Sequence, residues 1–433
     1  MRPMPVAQQL RLLPGDEQAV RNDTTSTFLD NMSLPIHRWF RYSAGFSALW
    51  VRELIEQEKA KGRSKIFDPF AGSGTVLLEG EVCNVQAMGT EAHPFVARMA
   101  QAKLYWRESP RSFRDYALSI LSQARKHEGD ASGYPVLIQK CFPAETLAHL
   151  DSLRSVWQAA ADSSPPSELA WLALTSILRE CSPVGTAQWQ YVLPNKTKAK
   201  AADPFKAFEA KVYLMYSDMA MRQRETNGAR AVLHCEDIRR RSSLPDAAAD
   251  LVITSPPYAN NYDYADATRL EMSFWGEVRT WGDLQSAVRK HLVRSCTQHV
   301  ADAVGETHSI LREPLLKPIQ EEIVQVCSQL EAERESHGGK KPYHTMIAAY
   351  FSDMAAAWLE LRRVTTSGGL VCFVVGDSAP YGIYVPVDRW LGELAVAAGF
   401  ESYSFEKTRD RNVKWKNRKH RVLLHEGRLW IKA

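Results

Sequence analysis

Two hydrophobic patterns alternate along this chain. Continuous apolar runs predict short buried strands at Lys65 to Asp68, Val85 to Thr90, Ala231 to Ile238, Ala249 to Ile253 and Leu370 to Val375, with a further strand near Glu401 to Phe405. Helical periods follow or precede them. Ala48 to Ala60 carries Leu49, Val51, Leu54 and Ile55 on one side and stops at Gly62. Tyr350 to Arg363 and Asp388 to Ala398 are amphipathic in the same way. Strand and helix alternate over 34–104, 230–264 and 341–433, which is the pattern of an α/β core. Over 105–229 the alternation lapses into helical periods alone, at Glu145 to Ala160, Ser167 to Glu180 and Phe205 to Arg224. The stretch 265–340 is again mostly helical and closes at Gly338-Gly339-Lys340-Lys341. The expected organisation is an irregular arm over 1–33 and an α/β core with two mostly helical insertions. Cys181 to Lys200 reads as a loop on the first insertion.

Two strand ends carry candidate chemistry. The first is Asp68-Pro69-Phe70-Ala71-Gly72-Ser73-Gly74, a Gly-rich loop between a strand and a helix. Glycines there let a ligand approach the backbone, and the helix start offers free N–H donors. A dinucleotide fingerprint wants a third glycine where this chain has Leu77, which argues against NAD or FAD. Glu91 ends the next strand, 19 residues after Gly72 (91 minus 72). A carboxylate at that distance can hold a ribose diol. The second strand end is Thr254-Ser255-Pro256-Pro257-Tyr258-Ala259-Asn260-Asn261-Tyr262-Asp263-Tyr264. Neither proline can donate to a ladder, so the strand stops in a rigid polar turn with an aromatic ring beyond it. Polar acceptors fixed there suit a flat, amino-bearing molecule. Taken alone, the stretch fits a turn that merely closes a strand equally well.

Composition narrows the class. The 433 residues are 45% hydrophobic and 24% charged, as in a globular protein, and no apolar run approaches the length of a membrane span. Met1 to Leu13 lacks an apolar signal core, so a cytoplasmic location is expected. The seven cysteines are scattered, which points to neither a zinc site nor a disulfide framework. A net charge of +4 means that any nucleic-acid surface must come from local clusters. The densest runs from Lys407 to Arg421 and includes Lys414, Trp415, Lys416 and Arg418. Lys196 and Lys198 belong to a second, in the loop at Cys181 to Lys200.

With both strand ends in view, the chain resembles the S-adenosylmethionine-dependent amino-methyltransferases of nucleic-acid bases, most closely the DNA cytosine-N4 and adenine-N6 enzymes. The resemblance rests on Asp68 to Gly74 as the cofactor loop and on Ser255-Pro256-Pro257-Tyr258 as the catalytic turn, in that order and 187 positions apart (255 minus 68). It covers roughly 34–104, 230–264 and 341–433 and leaves both insertions unassigned. It implies a Rossmann-like class I methyltransferase sheet that uses S-adenosylmethionine and acts on double-stranded DNA. Asp68, Pro69, Phe70, Ala71, Gly72 and Gly74 would line the methionine side of the cofactor. Glu91 would hold its ribose, Asp237 and Ile238 its adenine, and Phe46 would cover it. Ser255 and the Pro256 carbonyl would accept the two hydrogens of the target amino group, and Tyr258 would stack on the flipped base. Asn260 and Asn261 would contact DNA, as would Lys196, Lys198, Lys414, Trp415, Lys416 and Arg418. Neither a metal nor a covalent intermediate is needed. Serine in the first catalytic position is commoner in the cytosine-N4 type. The alternatives are an adenine-N6 enzyme, a guanine-N2 methyltransferase of RNA, and a catalytically silent DNA-binding subunit. A restriction nuclease or another defence protein would be the natural partner.

Overall fold

The computed structural model describes residues 28–42, 45–186, 191–197, 200–411 and 422–433. Lys198, Lys414, Trp415, Lys416 and Arg418 lie outside them. Nine strands are found among the described residues: β1 (Lys65–Asp68), β2 (Gln86–Thr90), β3 (Val184–Thr186), β4 (Val192–Thr197), β5 (Val232–His234), β6 (Ala249–Thr254), β7 (Thr365–Gly376), β8 (Ser402–Arg411) and β9 (Leu424–Lys432). Seven form one sheet in the order β5-β2-β1-β6-β7-β9-β8. The first five run parallel, and β9 is antiparallel to both of its neighbours. This confirms the expected Rossmann-like class I sheet.

The central strands are apolar on both faces because helices cover both. Ile66, Leu251, Ile253 and Cys372 pack with Val51, Leu54 and Ile55 of helix Ala48–Lys59 and Val76 of helix Thr75–Val82. Their alternates Phe67, Val252, Val371 and Phe373 pack with Trp358 and Leu361 of helix Tyr343–Val364 and with Trp390 and Leu391 of helix Val387–Ala397. Each such side chain removed from water stabilises the fold by roughly 1.5–3 kcal/mol. Leu49, expected on the apolar side of its helix, is exposed instead.

The first insertion is a helical bundle. Three of its helices, Pro110–Ala124, Pro165–Cys181 and Pro204–Glu225, start with the same device. Ser109, Ser164 and Asp203 each accept a backbone N–H from the first turn, while a proline occupies the first helical position, where no N–H is required. Helix Arg269–Trp275 buries Phe274 and Trp275 in the core of this bundle, although it lies beyond the turn at Ser255 to Tyr258 in sequence. Cys181 to Lys200 is not wholly a loop: β3 and β4 form a two-stranded antiparallel ribbon within it. The strand expected at Leu370 to Val375 starts earlier, at Thr365, and the surplus residues bulge out around Gly368 (φ 74°). Conversely, β5 ends at His234, so Asp237 and Ile238 stand on the loop beyond it. No described helix is long and apolar enough to cross a membrane.

Candidate active site

Strand order reverses between β1 and β6: the chain proceeds outward to β2 and β5 on one side and to β7 on the other. The carboxyl ends of two adjacent strands leave a crevice at such a switch point. Both sequence motifs end there. Asp68 closes β1 and Thr254 closes β6, and the Thr254 hydroxyl donates to Asp68 Oδ1 at 2.6 Å. The Phe70 amide donates to the same oxygen at 3.1 Å. Asp68 is buried, which pushes its carboxyl up to about 7 despite these two donors.

The Gly-rich loop then turns through two left-handed residues, Gly72 (φ 52°) and Gly74 (φ 80°). A side chain at Gly72 would meet the Tyr42 ring at 3.3 Å. Glu91 holds the loop against β2: one carboxylate oxygen accepts the Gly72 amide and the other the His93 amide, both at 2.8 Å. Burial raises the Glu91 carboxyl in spite of these donors. Tyr42, Gly72, Glu91 and His93 wall a cleft, completed by Pro69, Phe70, Asp237, Ile238, Ser255 and Pro257 and by Leu292 and Val293 from the second insertion. A mixture of apolar walls and a few fixed polar groups is what a nucleoside-sized ligand requires. Asp237 is not free-standing; it forms a two-pronged ion pair with Arg239, which also reaches Asp353 at 3.0 Å. Phe46 lies in the core against Trp50 and does not line the cleft; Tyr42, from the same segment, does.

The turn after β6 is held from several sides. Ser255 Oγ donates to the Val374 carbonyl of β7 at 3.2 Å. It also hydrogen-bonds the Tyr258 side chain, and its oxygen, which keeps lone pairs to accept with, lies on the cleft wall. Pro256 is buried and Pro257 half-buried. The Tyr258 amide donates to Tyr264 Oη at 3.3 Å, and the Arg411 guanidinium lies 5.4 Å from the Tyr258 ring centroid. Arg411 is itself fixed by the Asp377 carbonyl at 2.8 Å. Arg411 pairs with Leu424 at the end of the β8–β9 ladder, beside the turn at Ser255 to Tyr258. The basic run at 412–421 connects these two residues.

Asp263 anchors the far end of the turn. It caps helix Tyr264–Ala267, accepts from Arg289 at 2.7 Å and faces His299 at 3.3 Å. Burial alone would raise its carboxyl; hydrogen bonds from His299 and Arg289 outweigh that and hold it down at about 2. Asn261 Oδ1 accepts the Thr297 amide and hydroxyl, at 2.9 and 2.8 Å, so its carbonyl end serves the second insertion. Asn260 is exposed and accepts the Tyr262 amide at 3.2 Å. Lys196 is exposed on β4, on the ribbon of the first insertion. Tyr42, Arg289 and His299 are neighbours of this site that sequence reasoning missed; Thr254 and Arg411 were legible as members of the stretch after β6 and of the basic run Lys407 to Arg421, but not as contacts of Asp68 and Tyr258. The first three had no local signal; Thr254 had one, as a hydroxyl at the last position of a buried strand.

A seven-stranded sheet with one reversed strand beside its edge, a Gly-rich loop at the switch point and a carboxylate at the next strand tip are consistent with a Rossmann-like methyltransferase fold. No family model and no solved structure matches the chain. It is similar to the Type II methyltransferase M.AvaI of Nostoc sp., 25% identical over 86% of this chain and 81% of that one. It is similar to M.BsoBI of Geobacillus stearothermophilus, 25% identical over 89% of this chain and 82% of the relative. M.MvaI of Kocuria varians is 26% identical over 52% of this chain and 53% of its own length. These similarities support a DNA amino-methyltransferase family, whose Type II members use S-adenosylmethionine as methyl donor.

Proposed function

We propose that the protein methylates the exocyclic amino nitrogen of a base flipped out of double-stranded DNA, and that the base is cytosine, at N4. The observation that carries this reading is the state of Ser255. Its hydroxyl is held by the Val374 carbonyl, and its oxygen, which keeps lone pairs to accept with, lies on the cleft wall. An exocyclic amino group is a poor nucleophile because its lone pair is delocalised into the ring. Acceptors for its two N–H bonds localise that pair. Ser255 Oγ and the Pro256 carbonyl are the two acceptors, and the rigid prolines fix them in advance, so little reorganisation is needed. Tyr258 is the stacking surface for the extruded base.

S-adenosylmethionine would be held by Asp68 to Gly74 at its methionine end, by Glu91 at the ribose, and by Ile238 with Asp237 at the adenine. The cleft fits such a group: Gly72 leaves the backbone bare, and Ile238 and Pro257 provide apolar walls for a ring. The cofactor supplies an electrophilic methyl on a sulfonium. The chain's own residues then only orient the amino nitrogen in line with it and exclude water. The basic hairpin around Arg411 serves the phosphate backbone, and Lys196 contacts the DNA from β4. A restriction nuclease of the same specificity is the proposed partner, and the cytoplasm the proposed location. Modification-sensitive sequencing of DNA from cells expressing the protein tests the reading. N4-methylcytosine at one recurring motif is expected; N6-methyladenine would assign the other base, and unmodified DNA would overturn the proposal.

A further inference from the structure

We infer that the β3–β4 ribbon of the first insertion is the element that enters the DNA groove and reads the target sequence, and that Tyr191 carries its position to the catalytic turn. This rests on the reading of the chain as a DNA amino-methyltransferase.

The ribbon is rigidly rooted. It leaves the end of helix Pro165–Cys181 and returns to the start of helix Pro204–Glu225, and the Ala202 amide closes its base on the Glu180 carbonyl at 3.1 Å. Its chemistry suits nucleic acid. From Ser182 to Ala202 there are three lysines and no acidic residue, in a chain of nearly balanced charge. Thr186, Asn195, Lys196 and Thr197 are exposed on it. Its pairing is irregular in a useful way. Gly185 pairs with Leu193, but Val184 pairs with Thr197, so Pro194, Asn195 and Lys196 bulge out of the ladder. Bulges of this kind redirect side chains outward. Asn and Lys are the side-chain types that read adenine and guanine edges in the major groove. Two strands about 4.8 Å apart fit a groove about 12 Å wide.

The ribbon is also joined to the catalytic turn. Tyr191, just before β4, accepts the Asp263 amide at 2.8 Å, and its ring stacks on Tyr262 at 5.4 Å. Tyr262 meets Tyr264 edge to face at 4.7 Å, and Tyr264 Oη receives the Tyr258 amide. At the ribbon's root, Arg179 donates to Glu271 at 2.5 Å and to the Ala267 carbonyl at 2.7 Å. Both ends of the segment that follows the catalytic motif are therefore fastened to the insertion that carries the ribbon. Tyr191 is a positioning residue in this scheme.

The test uses the full chain and unmethylated plasmid DNA, with the methylated positions read by sequencing. Asn195→Ala/Lys196→Ala should keep cofactor binding by calorimetry. It should also raise KM for DNA and loosen the methylated motif at one or more positions, with discrimination falling about tenfold. Tyr191→Phe should lower kcat about tenfold while DNA affinity is kept. An unchanged motif and KM in the first variant would overturn the ribbon as reader, and wild-type kcat in the second would overturn the coupling. Ser255→Ala run alongside separates the two levels. If it stays active, the catalytic reading itself falls; if it is inactive while the ribbon variants behave as wild type, only this inference falls.

Discussion

Replacing Arg289 by methionine should both destabilise the protein and slow methylation. Arg289 and Asp263 are almost fully buried, with side chains 2% and 8% exposed. The Asp263 carboxyl is held from 3.8 down to about 2. A shift of nearly two pKa units corresponds to about 2.5 kcal/mol of native-state stabilisation. Because the folded value is depressed, that contribution is present above about pH 4 and is lost as pH falls through 2. Methionine keeps much of the side-chain volume but leaves a buried carboxylate with one strong donor fewer. Breaking such a pair costs about 3–5 kcal/mol. Urea unfolding followed by tryptophan fluorescence should therefore show a loss of about 2–5 kcal/mol at pH 7. The gap from wild type should narrow toward pH 4, as the uncompensated carboxyl takes up a proton in the variant. The turn from Tyr258 to Asp263 would also lose its anchor, so kcat should fall more than cofactor affinity. A stability change below about 0.5 kcal/mol, the range of ordinary surface substitutions, would refute the reasoning. So would a difference from wild type that stays the same across that pH range.

Three further outcomes are expected. Ser255→Ala and Tyr258→Ala should each abolish methylation while calorimetry still detects the cofactor; an active Ser255→Ala would remove the catalytic assignment, and an active Tyr258→Ala the stacking role of that ring. Cofactor affinity should weaken as pH falls below about 7, because the buried Asp68 carboxyl protonates there and loses the negative charge that strengthens the hydrogen bonds from Thr254 and Phe70; in Asp68→Asn this acid limb should be absent from the titration. Neutralising Lys414, Lys416 and Arg418 together should reduce the slope of log affinity for DNA against log salt by roughly three, and an unchanged slope would mean that these residues touch no phosphate.

Much of the core was legible because its signals are local. An apolar run followed by a loop residue that cannot continue a strand identified the ends of β1 and β6 without any tertiary information. What was not legible depends on pairing between distant segments. Nothing near Asp68 announces that its partner is Thr254, 186 positions on. Phe46 and Tyr42 are four residues apart on one segment, and only packing decides which of them faces the cleft. The ribbon was hidden because Pro194 and the bulge interrupt the period-two alternation by which strands are recognised. Arg289 and His299 sit in an insertion whose charges look solvated until the Asp263 turn folds onto them.

The hydrogen bond from Thr254 to Asp68 has a thermodynamic consequence. It joins the loop expected to grip the methyl donor to the residue directly before Ser255, so neither half of the crevice can be remodelled alone. Two ligands that bind through one shared strut are energetically coupled, and that coupling is reciprocal. By whatever factor the donor raises the affinity for duplex DNA, the duplex raises the affinity for the donor. Thr254→Val tests whether this hydroxyl carries such coupling: if it does, that common factor should move toward one for both ligands together.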